Sequence, residues 1–530
     1  MKKREALLLH GMLASGAVLT ALTLIFPQIG FLEWISLIPL CAAAFRLCQT
    51  EGVSLWKAYR YGFFTVFCFY FVIYHWVVSM YPLDFAGLEG GAGVIVIAVA
   101  WVGLSILRAL AGGLIFLWFR LLNRSGIFSR VPLLRPFLFA ALWSVFEWAA
   151  TLNFAGVPWG RLALGQIRLL PMLDISSWFG SYFVSFLLVA VNGLLAEVLF
   201  FNRRRILYLL LSAGLVIGDL AFGLIWQQTG AKSEKTVRVA AIQANISSYD
   251  KWTSTAQEKQ IYADLTRAAA SDGAEIVVWP ETALPYELNQ SLGLQSFVSD
   301  LAKETEVTLF VGALRTDEED NLYNSVFLVF PDGSFSTVIY DKQHLVPFGE
   351  YVPLRKLILT LIPPLAEVST LDEDLEPGRD ARVFQTREGK IGALICFDSI
   401  YENLAIRSVR DGAELLILST NDSWFYDSAA VYQHEAQAKL RSIETGRDMI
   451  RAANTGISAL IDSRGNALEE IPPLERGYSI GTVAFRSGRT LYSRIGNLFI
   501  YLCLAVLTAL PTVFAFQRRK KSGVPTESDR

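Results

Sequence analysis

Three side chains in one polar stretch of this 530-residue chain could together transfer an acyl group. Glu281 stands in Trp279-Pro280-Glu281-Thr282, Lys342 in Tyr340-Asp341-Lys342-Gln343-His344-Leu345, and Cys396 ends the apolar run Gly392-Ala393-Leu394-Ile395. A thiol attacking a carbonyl needs a base for its proton, and a carboxylate serves if its surroundings raise its pKa toward neutrality. The tetrahedral oxyanion then needs positive charge or N–H donors in a dry site, which the Lys342 ammonium and the Phe397 backbone N–H would supply. Taken singly, each residue also has a structural use: Glu281 as a cap, Lys342 as a surface partner of Asp341, Cys396 as packing. Glu350 fits two duties equally, orienting Lys342 or solvating its loop. His344 is an alternative base, but no other motif supports a Cys–His pair. Cysteine, histidine and acidic residues nowhere take metal-ligand spacing along the sequence, so no metal and no cofactor is expected.

Cys396 is isolated from the other thiols. Cys41, Cys48, Cys68 and Cys503 lie in or beside hydrophobic stretches, which leaves Cys396 without a disulfide partner in its own domain. An exported domain with one unpaired cysteine is unusual in a disulfide-permissive compartment, so the thiol is expected to be kept for chemistry.

The elements that must position these groups are short β-rich runs alternating with helical patterns. Residues 237–243, 275–279, 307–313, 325–330, 391–396 and 415–419 read as strands, and 254–271, 292–305, 402–411 and 431–447 as helices. The domain is therefore expected to be α/β with at least one parallel sheet. In such sheets reactive groups lie just beyond the C-terminal ends of strands, and Glu281, Lys342 and Cys396 are expected at such places.

The rest of the chain is apolar: 53% of all residues are hydrophobic and only 18% charged. Eight stretches could span a bilayer, at 6–26, 30–47, 61–81, 91–119, 136–152, 176–200, 206–226 and 497–516, of which 91–119 is long enough to tilt or to break at Gly112-Gly113. Basic clusters fall at the N-terminus (Lys2, Lys3, Arg4), at every even-numbered loop and in the tail Arg518-Arg519-Lys520-Lys521. Under the positive-inside rule both termini are cytoplasmic and 230–493 lies outside, on the periplasmic face of an inner membrane in a Gram-negative host. Arg161 and Arg168, in an outer loop, are the exception. The first stretch resembles a signal peptide in isolation, but the spans that follow argue for an uncleaved helix. Three regions result: seven helices in 1–229, a polar catalytic domain in 230–493, and a last span with a basic tail in 494–530. Arg108, Glu147, Glu197 and Asp219 are the few charges inside the spans, too few to favour a transporter. A net charge of −2, with basic runs already explained by topology, excludes nucleic acid as a partner.

The order and context of Glu281, Lys342 and Cys396 resemble the nitrilase superfamily. Within it the chain resembles the bacterial apolipoprotein N-acyltransferases, through Ala241-Ile242-Gln243-Ala244-Asn245-Ile246 followed by Lys251-Trp252, Trp279-Pro280-Glu281-Thr282-Ala283-Leu284-Pro285, His344-Leu345-Val346-Pro347-Phe348-Gly349-Glu350-Tyr351-Val352-Pro353, and Ser419-Thr420-Asn421-Asp422-Ser423-Trp424-Phe425. Asn153-Phe154-Ala155-Gly156-Val157-Pro158-Trp159-Gly160 extends the resemblance into the membrane half. It implies an α-β-β-α sandwich carried by about eight transmembrane helices. Glu281 would be the general base, Lys342 the stabiliser of the tetrahedral intermediate, Cys396 the nucleophile that becomes a thioester, and Glu350 a second glutamate at the centre. Trp252, Asn421 and Trp424 would line or gate a lipid-facing site. The implied donor is the sn-1 acyl chain of a membrane phospholipid, and the implied acceptor the free amine of an N-terminal S-diacylglyceryl cysteine on a lipoprotein. Members commonly carry Cys-Tyr-Glu where this chain has Cys396-Phe397-Asp398, a change that shortens a carboxylate by one methylene. A monomer is expected, because one chain carries the whole site. A membrane-tethered amidase using the same three residues, and a binding module with an inactive triad, remain alternatives.

Overall fold

A computed structural model of the chain describes residues 3–83, 90–152, 156–201, 204–228, 235–247, 255–355, 360 and 374–521, without the side chains of 255 and 515–521. Its contacts divide the chain into two units, one of Met1–His75, Val99–Thr229 and Asn497–Arg530, the other of Trp76–Ala98 and Gly230–Gly496. The expected regions differ from this division at Trp76–Ala98, which groups with the polar unit. The Trp76 ring meets Phe425 edge-on at 5.1 Å, and Ser79 Oγ donates to the Phe425 carbonyl at 3.4 Å.

The first unit is helical. Among the described residues six helical stretches are long and apolar enough to cross a membrane: Lys3–Ile25, Pro27–Gln49, Leu55–Met80, Gly91–Arg124, Ser181–Phe200 and Arg205–Gln228. The expected span at 136–152 is a helix, Leu134–Ala149, of 16 residues. At 1.5 Å per residue that is about 24 Å, short of the ~30 Å hydrocarbon core. The expected last span lies in Leu498–Lys521. Gly91–Arg124 runs unbroken through Gly112-Gly113. A Cβ at Gly112 would run into Val66, and one at Gly113 into Tyr59. These glycines bring two helices close together and do not break one, as small residues do between membrane helices.

Three of the four charges noted inside the spans, Arg108, Glu147 and Glu197, have ionic, hydrogen-bonding or aromatic partners, whereas neither carboxylate oxygen of buried Asp219 has a hydrogen-bond partner among the described residues. Arg135 Nη1 meets Glu197 Oε1 at 2.6 Å with both groups buried. Glu147 Oε1 accepts from Trp143 Nε1 at 3.1 Å and from the Leu162 N–H at 3.0 Å. Arg108 lies over the rings of Tyr70 and Phe146. Arg161 is buried, 4.3 Å from the Tyr182 ring centre, and donates to Ser181 Oγ and Tyr182 Oη at 2.7 and 2.9 Å. It therefore sits in the interior of the unit, although it lies in the connecting segment before the turn Leu162–Gln166. Several basic residues share one end of the bundle: Arg46 pairs with Glu5 at 3.3 Å, and Arg120 donates to the carbonyls of Cys48 and Val53.

The second unit contains thirteen strands among the described residues. They are β1 (Lys235–Gln243), β2 (Ile276–Val278), β3 (Leu284–Glu287), β4 (Thr308–Thr316), β5 (Leu322–Val329), β6 (Tyr340–Asp341) and β7 (Val383–Gln385). There follow β8 (Lys390–Ile395), β9 (Leu415–Thr420), β10 (Met449–Ala453), β11 (Ser458–Ile461), β12 (Ala467–Ile471) and β13 (Gly477–Phe485). One sheet has the order β13-β1-β2-β4-β5-β6, with β3 beside β4; the other has β12-β11-β10-β9-β8-β7. Each has a parallel centre, β1-β2-β4 in the first and β8-β9-β10 in the second.

Alternation along the strands builds the layers. Val237, Val239 and Ala241 of β1 pack with Ile391, Ala393, Leu415 and Ile417 in the apolar layer between the sheets. Ala240 and Ile242 point the other way, into a second cluster with Tyr262, Ala263, Val298 and Leu301 from helices Thr255–Ser271 and Leu292–Thr305. Helices Glu402–Arg410 and Ala429–Thr445 cover the second sheet, with Gly392 of β8 against Ser408. The result is an α-β-β-α sandwich in which β2 leads to Glu281 and β8 to Cys396.

Removing one partner of the buried Arg135–Glu197 pair leaves an uncompensated charge, a loss of about 3–5 kcal/mol. Glu197→Ala should therefore lower the thermal midpoint of the purified full-length protein clearly more than the double change Arg135→Met with Glu197→Leu.

Candidate active site

Glu281 is placed by a tight crossing. Beyond β2, Trp279 is fully buried, its Nε1 donates to Thr266 Oγ1 at 2.9 Å, and its carbonyl accepts from Ser419 Oγ at 3.0 Å. The chain then passes so close to β4 that a Cβ at Gly312 would collide with the Pro280 carbonyl and reach Glu281 Cα. Lys342 follows β6, its N–H donating to the Asn324 carbonyl of β5 at 2.8 Å. Its Nζ lies 2.8 Å from Glu281 Oε1 and 2.9 Å from the Glu350 carboxylate. Asn324 Nδ2 donates to both carboxylates, at 2.7 and 2.9 Å, and Glu350 Oε2 also accepts from the Val346 N–H at 2.8 Å. Lys342 is 1% exposed and Glu281 5%. Burial alone would lower the lysine pKa, but Glu281 and Glu350 outweigh it and hold it well above the usual lysine range. The ammonium is therefore charged at any working pH.

Cys396 closes β8 and opens a short 3₁₀ turn, Cys396–Ile400, with φ +46°. A non-glycine residue there stores about 1–3 kcal/mol of backbone strain, a cost often found at reactive positions. Burial and the Glu281 charge push the thiol pKa up, while Lys342 opposes them. At rest Cys396 is therefore a neutral thiol, which would need a base to become a nucleophile.

Asp398 joins the two loops that carry the lysine and the cysteine. Oδ1 accepts from the Gln343 and His344 N–H groups at 3.2 and 2.8 Å; Oδ2 accepts from Tyr340 Oη at 2.8 Å and from the Ile395 N–H at 3.1 Å. Full burial raises its pKa to about 6 against the pull of these hydrogen bonds and of Lys342. The neighbouring Phe397 packs edge-on against Tyr401 at 5.6 Å.

A second buried network braces the cysteine loop from behind. Asp422 Oδ1 meets His434 Nδ1 at 2.8 Å and Oδ2 meets Arg451 Nη2 at 2.7 Å; His434 Nε2 lies 3.0 Å from Ser399 Oγ and 3.2 Å from the Cys396 carbonyl. Despite burial, His434 and Arg451 hold Asp422 well below the usual carboxylate range. Cys396, Asp422 and His434 have atoms within 4.8 Å of one another, close enough to surround a cation. Both oxygens of Asp422 and both nitrogens of His434 are already engaged, and the Arg451 guanidinium would repel a cation. The donor set works as a brace.

Of the residues expected at the site, Glu281, Lys342 and Glu350 form one hydrogen-bonded cluster, with Cys396 within its electrostatic reach. His344 is elsewhere occupied: its ring stacks on Tyr401 at 3.8 Å, and burial lowers its pKa to about 4. Asn421 Oδ1 accepts from Ser423 Oγ and Asn454 Nδ2 at 2.9 and 3.1 Å, tying the loop after β9 to that after β10; Trp424 beside it is half-buried. Trp252 lies outside the described residues. Asn324, His434 and Arg451 were not singled out by sequence. Asn324 leaves a trace, a polar side chain next to Ser325 just before the apolar run Val326–Val329 of β5; His434 and Arg451 reach the site only through the packing of Ala429–Thr445 and β10.

Residues 16–194 match the family described as apolipoprotein N-acyltransferase N-terminal domain, and residues 238–491 the family described as carbon-nitrogen hydrolase. The chain is similar to the apolipoprotein N-acyltransferase of Geobacter metallireducens, 33% identical over 519 residues that cover 95% of this chain and 94% of that one. The same name belongs to similar chains of Gloeobacter violaceus, 30% identical with 94% and 92% covered, and Methylococcus capsulatus, 30% identical with 91% and 92% covered. With this identity sustained through both the helical unit and the sandwich, the chain belongs to the apolipoprotein N-acyltransferase family, a membrane branch of the carbon–nitrogen hydrolase (nitrilase) superfamily.

Proposed function

We propose that the chain moves an acyl group from a membrane phospholipid to the N-terminal amine of a lipoprotein's S-diacylglyceryl cysteine, through a thioester on Cys396. The observation that carries this reading is the Lys342 ammonium, buried between Glu281 and Glu350 within electrostatic reach of a protonated thiol. Glu281 takes the thiol proton as Sγ attacks the ester carbonyl. Lys342 and the Phe397 N–H stabilise the oxyanion, the ester C–O bond breaks, and Glu281 returns the proton to the departing lysophospholipid oxygen. The neutral amine of the second substrate then attacks the thioester. Its surplus proton passes to Glu281, the C–S bond breaks, and the thiol is restored by that proton.

Both substrates are anchored in lipid, which gives the membrane helices a physical purpose. Each methylene drawn into water would cost about 0.8 kcal/mol. The shared basic end of the bundle supports cytoplasmic termini and a catalytic unit on the outer face of the inner membrane. In this reading Leu134–Ala149 and Leu498–Lys521 complete eight spans and one chain suffices. Full-length similarity to acyltransferases favours this reading over a tethered amidase that hydrolyses a soluble amide.

Mass spectrometry of the full-length protein mixed with phospholipid should show an acyl-sized gain absent from Cys396→Ala and lost when a diacylated lipopeptide becomes triacylated. Release to water alone would favour the amidase. Glu281→Gln and Lys342→Met should each slow thioester formation about 10²- to 10⁴-fold in single-turnover assays.

Asp398 predicts an acid limb. Above about pH 6 it is a carboxylate accepting from the Lys342 loop; as pH falls through about 6 it gains a proton and loses acceptor strength. The kcat/KM profile should decline below that point in the wild type. Asp398→Asn should be slower throughout and lack that limb.

A further inference from the structure

At the basic end of the helical unit an open groove of about 700 Å³ runs between helices Lys3–Ile25, Leu55–Ile73 and Gly91–Arg124. None of its lining residues belongs to the catalytic unit. Its rim is cationic, with Lys57 and Arg60 one helical turn apart, and neither makes a salt bridge among the described residues. Glu5, at the same end, is paired with Arg46. The wall below is aromatic and aliphatic: Phe63, Phe64 and Leu110 continue it along the helix axes. Trp56 is 66% exposed and stacks on Tyr59 at 5.3 Å with ring planes 8° apart.

We propose that this groove binds one anionic phospholipid, with the phosphate on Lys57 and Arg60 and the upper acyl chain along Phe63, Phe64 and Leu110. Three features converge on that class of ligand. Two unpaired cations on one rim call for negative charge, and phosphate accepts from both lysine and arginine. An apolar floor of Phe63, Phe64 and Leu110, on helices that also expose Leu7 and Leu114, suits an acyl chain and would be wasted on a free anion. Trp56 and Tyr59, one edge apolar and one polar, mark the depth at which headgroups sit. A cavity of this size has room for a headgroup, a glycerol and the first methylenes, leaving the chain ends in the bilayer. The site holds a lipid at the cytoplasmic boundary, distinct from the acyl donor consumed by Cys396.

The test is native mass spectrometry of delipidated full-length protein titrated with phosphatidylglycerol, phosphatidylethanolamine or glycerol 1-phosphate. The expected result is one saturable phosphatidylglycerol per chain, weaker phosphatidylethanolamine, and no competition by glycerol phosphate. Lys57→Gln with Arg60→Gln should weaken phosphatidylglycerol binding about tenfold and phosphatidylethanolamine binding by less, narrowing the gap between the two lipids. Should the double variant fail to fold, Arg60→Gln alone and Trp56→Ala provide the same reading on smaller changes. Equal affinity for the two lipids, unaltered binding by the variants, displacement by glycerol phosphate, or a dimer mass with the groove covered by a second chain would each overturn the proposal.

Discussion

A single buried cation sets the terms for the catalytic unit. Lys342 has little solvent to stabilise its charge, so two carboxylates must surround it, and the Asn324 amide donates to both and holds them in place. An unpaired ammonium there would lose several kcal/mol. That demand fixes Glu281 at the end of β2, Asn324 within β5 and Glu350 on the loop after β6, each from a different part of the first sheet. The pairing also leaves Glu281 oriented, since one of its oxygens is held by Lys342 and Asn324 together.

Cys396 comes from the other sheet, so the two halves of the candidate site need a bridge. Asp398 provides it by receiving N–H groups from the lysine loop and from β8 on the same carboxylate. On the far side, Asp422, His434 and Arg451 hold the Cys396 carbonyl and the turn after it. Burying two charged groups and an imidazole is costly, and replacing such a set with apolar residues often stabilises a protein. Its presence here fits a role in fixing geometry. The shortened Asp398 side chain keeps both oxygens fully used, the Tyr340 hydroxyl filling one of the four positions.

Much of the sandwich was legible because buried parallel strands write themselves as unbroken apolar runs. Ile276–Val278, Leu415–Thr420 and Lys390–Ile395 were readable for that reason. Three of the strands not anticipated were hidden by chemistry or by length. β10 contains a buried Arg451, β12 is mostly exposed, and β6 has two residues. Glu281, Lys342 and Cys396 could be nominated from reactivity and context, and the family resemblance supplied their roles. The brace could not be: Asp422 and His434 are separated by a loop and a helical turn, and only the packing of that helix on the second sheet makes them neighbours. In the helical unit, hydropathy located the apolar segments but not where helices stop. Nothing in composition distinguishes Leu55–Ile73 followed by a 3₁₀ segment, Tyr74–Met80, from one longer helix.

The elevated thiol pKa of Cys396 also bears on how the protein ages. Oxidants and electrophiles attack the thiolate, and a cysteine kept protonated presents little of it. Outside the reducing cytoplasm a low-pKa nucleophile would be consumed by sulfenylation or by mixed disulfides between turnovers. A thiol held in that state reacts only where a neighbouring base takes its proton, so Cys396 would be spared by oxidants that a thiolate in the same place would meet.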